Sequence, residues 1–315
     1  MGSYDGRVSE AERFQEAVQL EERAQLEERA QFEQRVRRAS GDLTGAGSAA
    51  EAERVLRELL PDLVRELQFD RAAGSFGAWG LSTVIDENLG VPVIGRALFE
   101  ALHALAGVGA AWPVGNAGLL HVYGYLLSTV QTPYGLKRER WLSVELGRAL
   151  GQPGGFLGPL TASADTNTTL PSVGASAGAG AGAAESAGAG KSATAGGVDA
   201  PRGLVAGITS AVHPVLTAPG HQSAAQAFID ELAGEEREDV ARAVLVSAAG
   251  CQAVVYGITT GSTMRVITAF PIAASTSVAE WIERFTAEPP RLRFNAVGHE
   301  LPARSALAER VVTRL

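Results

Sequence analysis

Apolar residues recur every three or four positions between residues 50 and 69, which is the spacing of one face of an α-helix. Pro61 lies inside this stripe. Proline disrupts a helix interior but is well tolerated as the first residue of a helix. The pattern therefore predicts either one kinked helix or two helices, the second beginning at Pro61. The apolar positions are Val55, Leu56, Leu59, Leu60, Leu63, Val64 and Leu67.

Three more helices are predicted in the most apolar part of the chain, residues 70–150. Arg96–Gly107 shows helical spacing of its apolar residues. Arg138–Leu150 does so too and stops before Gly151, a residue type that commonly follows a helix. Ala117–Val130 is the third, although its β-branched and aromatic residues leave a strand as an alternative. This part of the chain is therefore predicted to be mainly helical.

A different pattern follows residue 201. Glu235–Ala249 predicts a helix closed by Gly250, and two β-branched and aromatic runs, Gln252–Ile258 and Met264–Phe270, predict a hairpin. Cys251, at the start of the first run, is interpreted as a small apolar residue. The remaining pattern predicts a helix, a strand and a helix at Ser277–Thr286, Leu292–Val297 and Ala303–Val312. The order indicates a small α+β layer of a sheet backed by helices.

A short repeat occupies the charged N-terminal region, where the sequence of residues 19–24 recurs identically at 25–30. Its composition favours a helix. A six-residue step turns a helix by about 240°, so Leu20, Leu26 and Phe32 share no face and do not form a coiled-coil seam. We interpret residues 9–38 as a solvated helix, with a partner-binding arm as the alternative.

Small residues dominate positions 161–200, which are rich in alanine, glycine and serine. Such a segment cannot bury enough apolar surface to offset the entropy of ordering, so it predicts a flexible linker. The predicted fold is a mainly α N-terminal domain and a small α+β C-terminal domain joined by a disordered Ala/Gly/Ser linker. The predicted boundaries are 1–48 (charged extension), 49–160 (helical domain), 161–200 (linker) and 201–315 (α+β domain).

Composition narrows the function classes. The 315-residue chain has a net charge of −8, which argues against nucleic-acid binding, because phosphate contacts need a basic surface. It has no apolar leader or membrane-length apolar run. A single cysteine suits a reducing compartment, and the alanine- and glycine-rich composition is typical of GC-rich bacteria. A cytoplasmic protein without membrane or nucleic-acid partners is expected, and homo-oligomer formation is left open.

Candidate chemistry concentrates at residues 115–130. His121 and Tyr125 point the same way whether this element is a helix or a strand. A histidine beside a tyrosine can serve as general base and general acid. The alternative is a buried histidine that is hydrogen-bonded for structure. Asn116 lies in a preceding turn that could line a pocket, and Asp86 is a candidate to orient the imidazole.

A cationic segment follows this element and supplies candidate anion ligands. Tyr134 lies in a predicted turn, and Arg138, Arg140 and Trp141 come shortly after it. Guanidinium groups bind carboxylates and phosphates through paired N–H donors. We expect Arg138 to anchor a substrate, with Tyr134, Arg140, Trp141 and Asn116 as further binding residues. The alternative is a solvated basic turn with Trp141 in the core.

No diagnostic motif accompanies these residues: there is no dinucleotide-binding glycine motif, Walker loop, HExxH, CxxC or GxSxG sequence. We expect neither a metal nor a cofactor. The leading hypothesis is a metal-independent enzyme acting on a small anionic metabolite, with His121 as acid/base, Tyr125 as its partner and Arg138 as anchor. Lyase, isomerase and hydrolase chemistry stay open. The alternatives are a non-catalytic binding or assembly protein with two tethered domains and a small-molecule sensor.

Overall fold

The computed structural model describes residues 10–86, 89–132, 135–152, 154–157, 203–217, 232–234, 237–260 and 262–272. Helix α1, Glu10–Gly45, opens the chain. Leu20 and Leu26 are exposed on it, whereas Phe32 and Val36 belong to the core. The helix predicted at residues 9–38 therefore continues to Gly45, because its second half packs against the core.

Two helices follow, as one of the two readings of Pro61 predicted. Helix α2 spans Ala49–Leu59, and the Ser48 side chain accepts a hydrogen bond from the Glu51 amide at its start. Helix α3 spans Pro61–Ala72 and begins at the proline itself. The apolar stripe faces inward along both helices, where Leu56, Leu63 and Leu67 are almost fully buried.

A short 3₁₀ turn, Ser75–Ala78, leads from α3 to a small two-stranded sheet and two helices. Strands β1, Leu81–Thr83, and β2, Val114–Asn116, pair antiparallel. Helix α4, Arg96–Ala106, lies between them in the sequence. The next helix starts after Asn116 and widens into a π-helical turn at Leu119–Gly124 before α5, Tyr125–Leu127. The strand alternative for this region is thus wrong. We refer to residues 119–127 as the central helix.

The cationic segment is built from shorter elements than the sequence predicted. Strands β3, Gln131–Thr132, and β4, Gly135–Leu136, form a small hairpin. Helices α6, Glu139–Leu142, and α7, Val144–Ala149, follow in place of one continuous helix. Ser143 interrupts them with an extended backbone, and its hydroxyl accepts a hydrogen bond from the Glu145 amide.

The C-terminal part combines one helix with a four-stranded antiparallel sheet. Helix α8 spans Leu204–Thr217. The strands are ordered β5-β6-β7-β8 along the sheet. Their bounds are Leu232–Gly234, Arg237–Ala248, Cys251–Thr260 and Thr263–Ile272. The hairpin predicted from the two β-branched runs is confirmed as β7 and β8.

The helix predicted at Glu235–Ala249 is wrong, because residues 237–248 form strand β6, which pairs with β7 from Asp239 to Ala248. Ala249 and Gly250 both have positive φ, at 51° and 73°, and connect the two strands directly. Such a two-residue turn matches the twist of a hairpin. The glycine therefore ends a strand rather than a helix, and ladder pairing overrides the helical propensity of the alanine, glutamate and arginine residues.

The helical part and the sheet share one apolar core, which extends from Phe32 in α1 to Ala269 in β8. Three consecutive residues of β8 hold this junction: the Val266 carbonyl accepts from the Gly80 amide, the Ile267 carbonyl contacts His121, and the Thr268 hydroxyl contacts Arg140. The predicted linker and the elements predicted at 277–286, 292–297 and 303–312 lie outside the described residues. Within the described ranges, no helix has the length and apolar character to cross a membrane.

Candidate functional site

Asn116 fixes the start of the central helix. Its side-chain oxygen accepts hydrogen bonds from the amides of Gly118 (3.0 Å) and Leu119 (3.3 Å), and its amide nitrogen donates to the Phe76 carbonyl (3.0 Å). These contacts cap the helix. The side chain predicted to bind substrate is thus engaged in positioning the element that carries His121.

His121 joins three elements at the centre of the protein. Its Nδ1 lies 2.6 Å from the Ile267 carbonyl oxygen of β8, and its Nε2 lies 2.8 Å from Oγ of Ser82 in β1. Because a carbonyl only accepts, Nδ1 carries the proton, and the neutral ring presents the Nε2 lone pair to the serine hydroxyl. The arrangement of serine, histidine and an orienting acceptor has the geometry of a nucleophile and its base.

The electrostatic surroundings keep this imidazole neutral. The pKa of His121 is lowered to about 3, mainly by burial; the charges of Arg140 and Lys137 act in the same direction, and the hydrogen bond to the Ile267 carbonyl opposes them. Both His121 and Ser82 are almost fully buried. The ring is therefore an acceptor at neutral pH and a weak base.

Tyr125 connects the imidazole to the cationic segment. Its ring lies 4.8 Å from the His121 ring, centroid to centroid. On the tyrosine ring lie Lys137, with Nζ 5.4 Å from the centroid, and Arg140, with Cζ 4.9 Å from it. Both distances are within the range of cation–π attraction. Burial raises the pKa of Tyr125, so the phenol stays protonated at neutral pH.

Arg140 is held between two aromatic rings. Its Cζ lies 5.5 Å from the centroid of Phe270 as well as 4.9 Å from Tyr125, and its Nη1 donates to Oγ1 of Thr268 at 2.9 Å. The other edge of the guanidinium, formed by Nε and Nη2, makes no hydrogen bond to the described residues. That edge carries two parallel N–H donors, the arrangement that binds a carboxylate or phosphate in a bidentate manner.

An ion pair neutralises the charge of Lys137, whereas Arg140 has no such partner in the described ranges. Nζ of Lys137 lies 2.7 Å from Oδ2 of Asp86, and both side chains are largely buried. Lys137, Asp86 and Arg140 together carry one net positive charge. No carboxylate in the described ranges forms an ion pair with Arg140. We call Tyr125, Lys137, Arg140, Thr268 and Phe270 the cation site.

Two predicted site residues do not belong to the cation site. Arg138 is buried, and its Nε and Nη1 have no hydrogen-bond partner among the described residues. Burial lowers the pKa of Arg138, and the charge of Arg37 acts in the same direction. Where the structure describes the chain, no hydrogen bond, ion pair or ring contact joins Arg138 to His121 or Tyr125. Trp141 is buried, and its Nε1 donates to the His121 carbonyl. Tyr134 lies outside the described residues.

The sequence pattern missed Ser82 and Thr268 as members of this neighbourhood. Ser82 lies on a three-residue strand and Thr268 inside a hairpin strand, and neither belongs to a motif. The only sequence feature that could have indicated these two residues is a polar side chain next to apolar, buried positions. It was too weak because many strands carry such residues.

Metal binding has no support in the described residues, where no group of three or more histidine, cysteine, aspartate or glutamate side chains could hold a metal ion. Comparison with protein-family models finds no match, and neither do comparisons with curated proteins and with solved structures. Any functional conclusion therefore depends on the geometry of these side chains.

Proposed function

We propose that the protein binds a small organic anion, a carboxylate or a phosphate monoester, with Arg140 as its anchor. The observation that carries this proposal is the Nε–Nη2 edge of Arg140, which has no partner in the described residues while Nη1 is fixed by Thr268. Packing between Tyr125 and Phe270 restricts the guanidinium, so little side-chain entropy is lost when an anion binds.

Charge supports the same proposal. The cation site and Asp86 carry one net positive charge, which one monoanion would neutralise. Burial strengthens such an ion pair because the local dielectric constant is low. Arg140 rather than Arg138 is favoured as the anchor because Arg140 contacts Tyr125, which in turn packs on His121.

The location of the site favours a sensor. Arg140 belongs to the helical part, whereas Thr268 and Phe270 belong to β8, so an anion held there would contact both parts. Ligand binding to the folded state raises its stability in proportion to the logarithm of ligand concentration. A bound anion is therefore expected to stabilise the junction of the helices and the sheet.

Arg140→Met tests the anchor. We expect phosphate and succinate, each at about 100 times its Kd, to stabilise the wild-type chain by about 2.7 kcal/mol and Arg140→Met hardly at all. Thermal unfolding at several anion concentrations measures the effect. Arg96→Met is the matched control, because Arg96 is exposed and pairs with Glu100 at the surface. Equal stabilisation of wild type and Arg140→Met would exclude Arg140 as the anchor.

A second candidate is a metal-independent enzyme that acts on a small anionic metabolite, with His121 as acid/base. The 2.8 Å contact between Ser82 Oγ and His121 Nε2 favours it. In that function Ser82 Oγ would attack the ester while Nε2 takes the hydroxyl proton, and Arg140 would hold the anionic end. The ester bond to the alcohol would break as the imidazolium returns that proton to the leaving oxygen, and water would then hydrolyse the ester formed on Ser82. We rank it second because a base with a pKa near 3 accepts a proton less readily than one near 7.

Turnover of p-nitrophenyl phosphate and of the mono-p-nitrophenyl ester of succinic acid separates the two candidates. For an enzyme we expect Ser82→Ala to lower kcat/KM at least about 100-fold, while Ser128→Ala, which removes another buried serine hydroxyl, changes it little. Anion-dependent stabilisation of the wild type without turnover would instead establish a binding protein.

Three further predictions concern the cellular location, the domain division and the oligomeric state. The single cysteine supports a cytoplasmic location. The two-domain division with a tether at 161–200 also stays a prediction, and so does homo-oligomer formation. No contact in the described residues favours an assembly protein over a binding protein.

A further inference from the structure

Asp70 is the polar anchor of helix α8. It lies near the end of α3 with no exposed surface, and its Oδ2 accepts from the Tyr123 hydroxyl (2.6 Å) and the Val205 amide (2.8 Å). Its Oδ1 accepts from the Ala206 amide (2.7 Å). The first amides of a helix lack partners inside the helix, and the helix dipole is positive there, so a carboxylate satisfies both needs.

The close approach of α8 to this carboxylate depends on Gly203. A Cβ atom at that position would lie 2.2 Å from Oδ1 of Asp70, which is too close for any side chain. The contact joins α3 to a segment 135 residues further along the chain. Asp70 is thus the point at which α8 is held on the helical part.

A second carboxylate lies one helical turn away. Glu66 precedes Asp70 by four residues on α3, is only 3% exposed, and its Oε2 has no hydrogen-bond partner in the described residues. Burial raises the pKa of Glu66 to about 7. Arg65 opposes the shift, and Asp70 and Asp62 add to it; among the described residues, these are the charges that act on Glu66.

Most of the surrounding charge is engaged elsewhere. Asp62 is paired with Arg65 on its own helix and with Arg35 from α1, both at the surface. Facing Asp70 are the Tyr123 hydroxyl, the Ser75 hydroxyl and the amides of α8. Burial raises the pKa of Asp70 as well, against these hydrogen bonds.

We propose that Glu66 and Asp70 form a pH-sensitive latch, which holds helix α8 on α3 while the pair keeps a proton and loosens α8 when both carboxylates are charged. Two adjacent carboxylates in a buried site repel each other, so one of them keeps its proton in the closed site up to about pH 7. Opening the site exposes Glu66 to water, where it ionises at its ordinary pKa.

The direction of the pH effect on the latch follows from the number of protons that the closed and open states bind. The closed state holds the Glu66 proton up to about pH 7, whereas the open state releases it near pH 4.5. Between these values the open state binds fewer protons, so opening becomes about tenfold easier for each pH unit gained. Above about pH 8 both states are ionised, and the dependence on pH ends. The latch is therefore tightest in weak acid.

Hydrogen exchange of the Val205 and Ala206 amides in the full chain tests the latch between pH 5 and 8.5. Opening constants are corrected for the intrinsic exchange rate at each pH. At each pH the opening constant of the wild type is divided by that of Glu66→Gln. We expect this ratio to rise about tenfold per pH unit up to about pH 7 and then to level off. Glu58→Gln, at an exposed ion pair on α2, should follow the wild type.

A constant ratio across this pH range would overturn the proposal. Glu66→Met provides an independent check should Glu66→Gln fold poorly, because methionine has similar length and no ionisable group. If the ratio of wild-type to Glu66→Met opening constants rises with pH and levels off near pH 7, the latch is supported. If this ratio is constant across the pH range, the latch is refuted.

Discussion

The alanine substitution Asp70→Ala should lower the free energy of unfolding by at least about 3 kcal/mol, one of the two largest effects that we predict. Asp70 accepts hydrogen bonds from Tyr123, Val205 and Ala206, the Ser75 hydroxyl also faces it, and it is fully buried. Truncation would leave these donors buried without partners, and each such group costs roughly 1–3 kcal/mol. Loss of the carboxylate at the start of α8 adds to the effect.

Urea unfolding of the full chain at pH 6 measures this loss. Asp70→Asn keeps one of the two oxygen acceptors and should be destabilised less than Asp70→Ala. Asp62→Ala is the control on the same helix, because Asp62 makes surface ion pairs, which contribute little. Equal stabilities of Asp70→Ala and Asp62→Ala would show that Asp70 does not hold α8.

Acid should weaken the protein through His121, by up to about 5 kcal/mol between pH 6.5 and pH 3. The folded protein holds this imidazole neutral with a pKa of about 3, whereas an unfolded chain protonates it at about 6.5. Below 6.5 the unfolded state therefore binds one more proton, and stability falls as the pH falls. The stabilisation is complete above pH 6.5 and lost as the folded-state pKa is approached.

His121→Gln isolates this contribution, because glutamine can donate to the Ile267 carbonyl and accept from Ser82 without titrating. We expect the wild type to lose more stability than His121→Gln between pH 7 and pH 4, as measured by urea midpoints. His213→Gln, on α8, should behave like the wild type. Parallel pH profiles for wild type and His121→Gln would contradict the assignment.

Glu66 and His121 act in opposite directions between about pH 4.5 and 6.5. Deprotonation at Glu66 reduces stability as the pH rises, and loss of the imidazole proton in the unfolded state increases it. The two slopes partly cancel in the wild type. Removing one group at a time exposes the slope of the other, which is why each test compares a variant with the wild type at every pH.

Several elements could be read directly from local sequence. The apolar spacing at residues 50–69 and the position of Pro61 predict α2 and α3, and the β-branched runs predict β7 and β8. These features depend on periodicity and backbone stereochemistry, which act within a few residues. Strand β6 was wrongly predicted to be a helix, because alanine, glutamate and arginine favour a helix when no neighbouring strand pairs with them.

The candidate site was predictable only in part. His121 and Tyr125 were expected to lie side by side because both are on one element, and their rings are 4.8 Å apart. The sequence did not decide between Arg138 and Arg140 as the residue near Tyr125, because residues two positions apart on a helical turn point to opposite sides and the packing of α6 sets which side faces Tyr125.

The sequence by itself determined the helical character of the first half, the strand pair at residues 251–272 and the types of charged groups available for an anion. Only the tertiary structure decided that His121 meets a carbonyl 146 residues away and that Asp70 meets an amide 135 residues away. Helix and strand preferences are set by neighbouring residues. The partner of a buried polar group is set by which distant segments pack together, and that follows from burial of the whole apolar core.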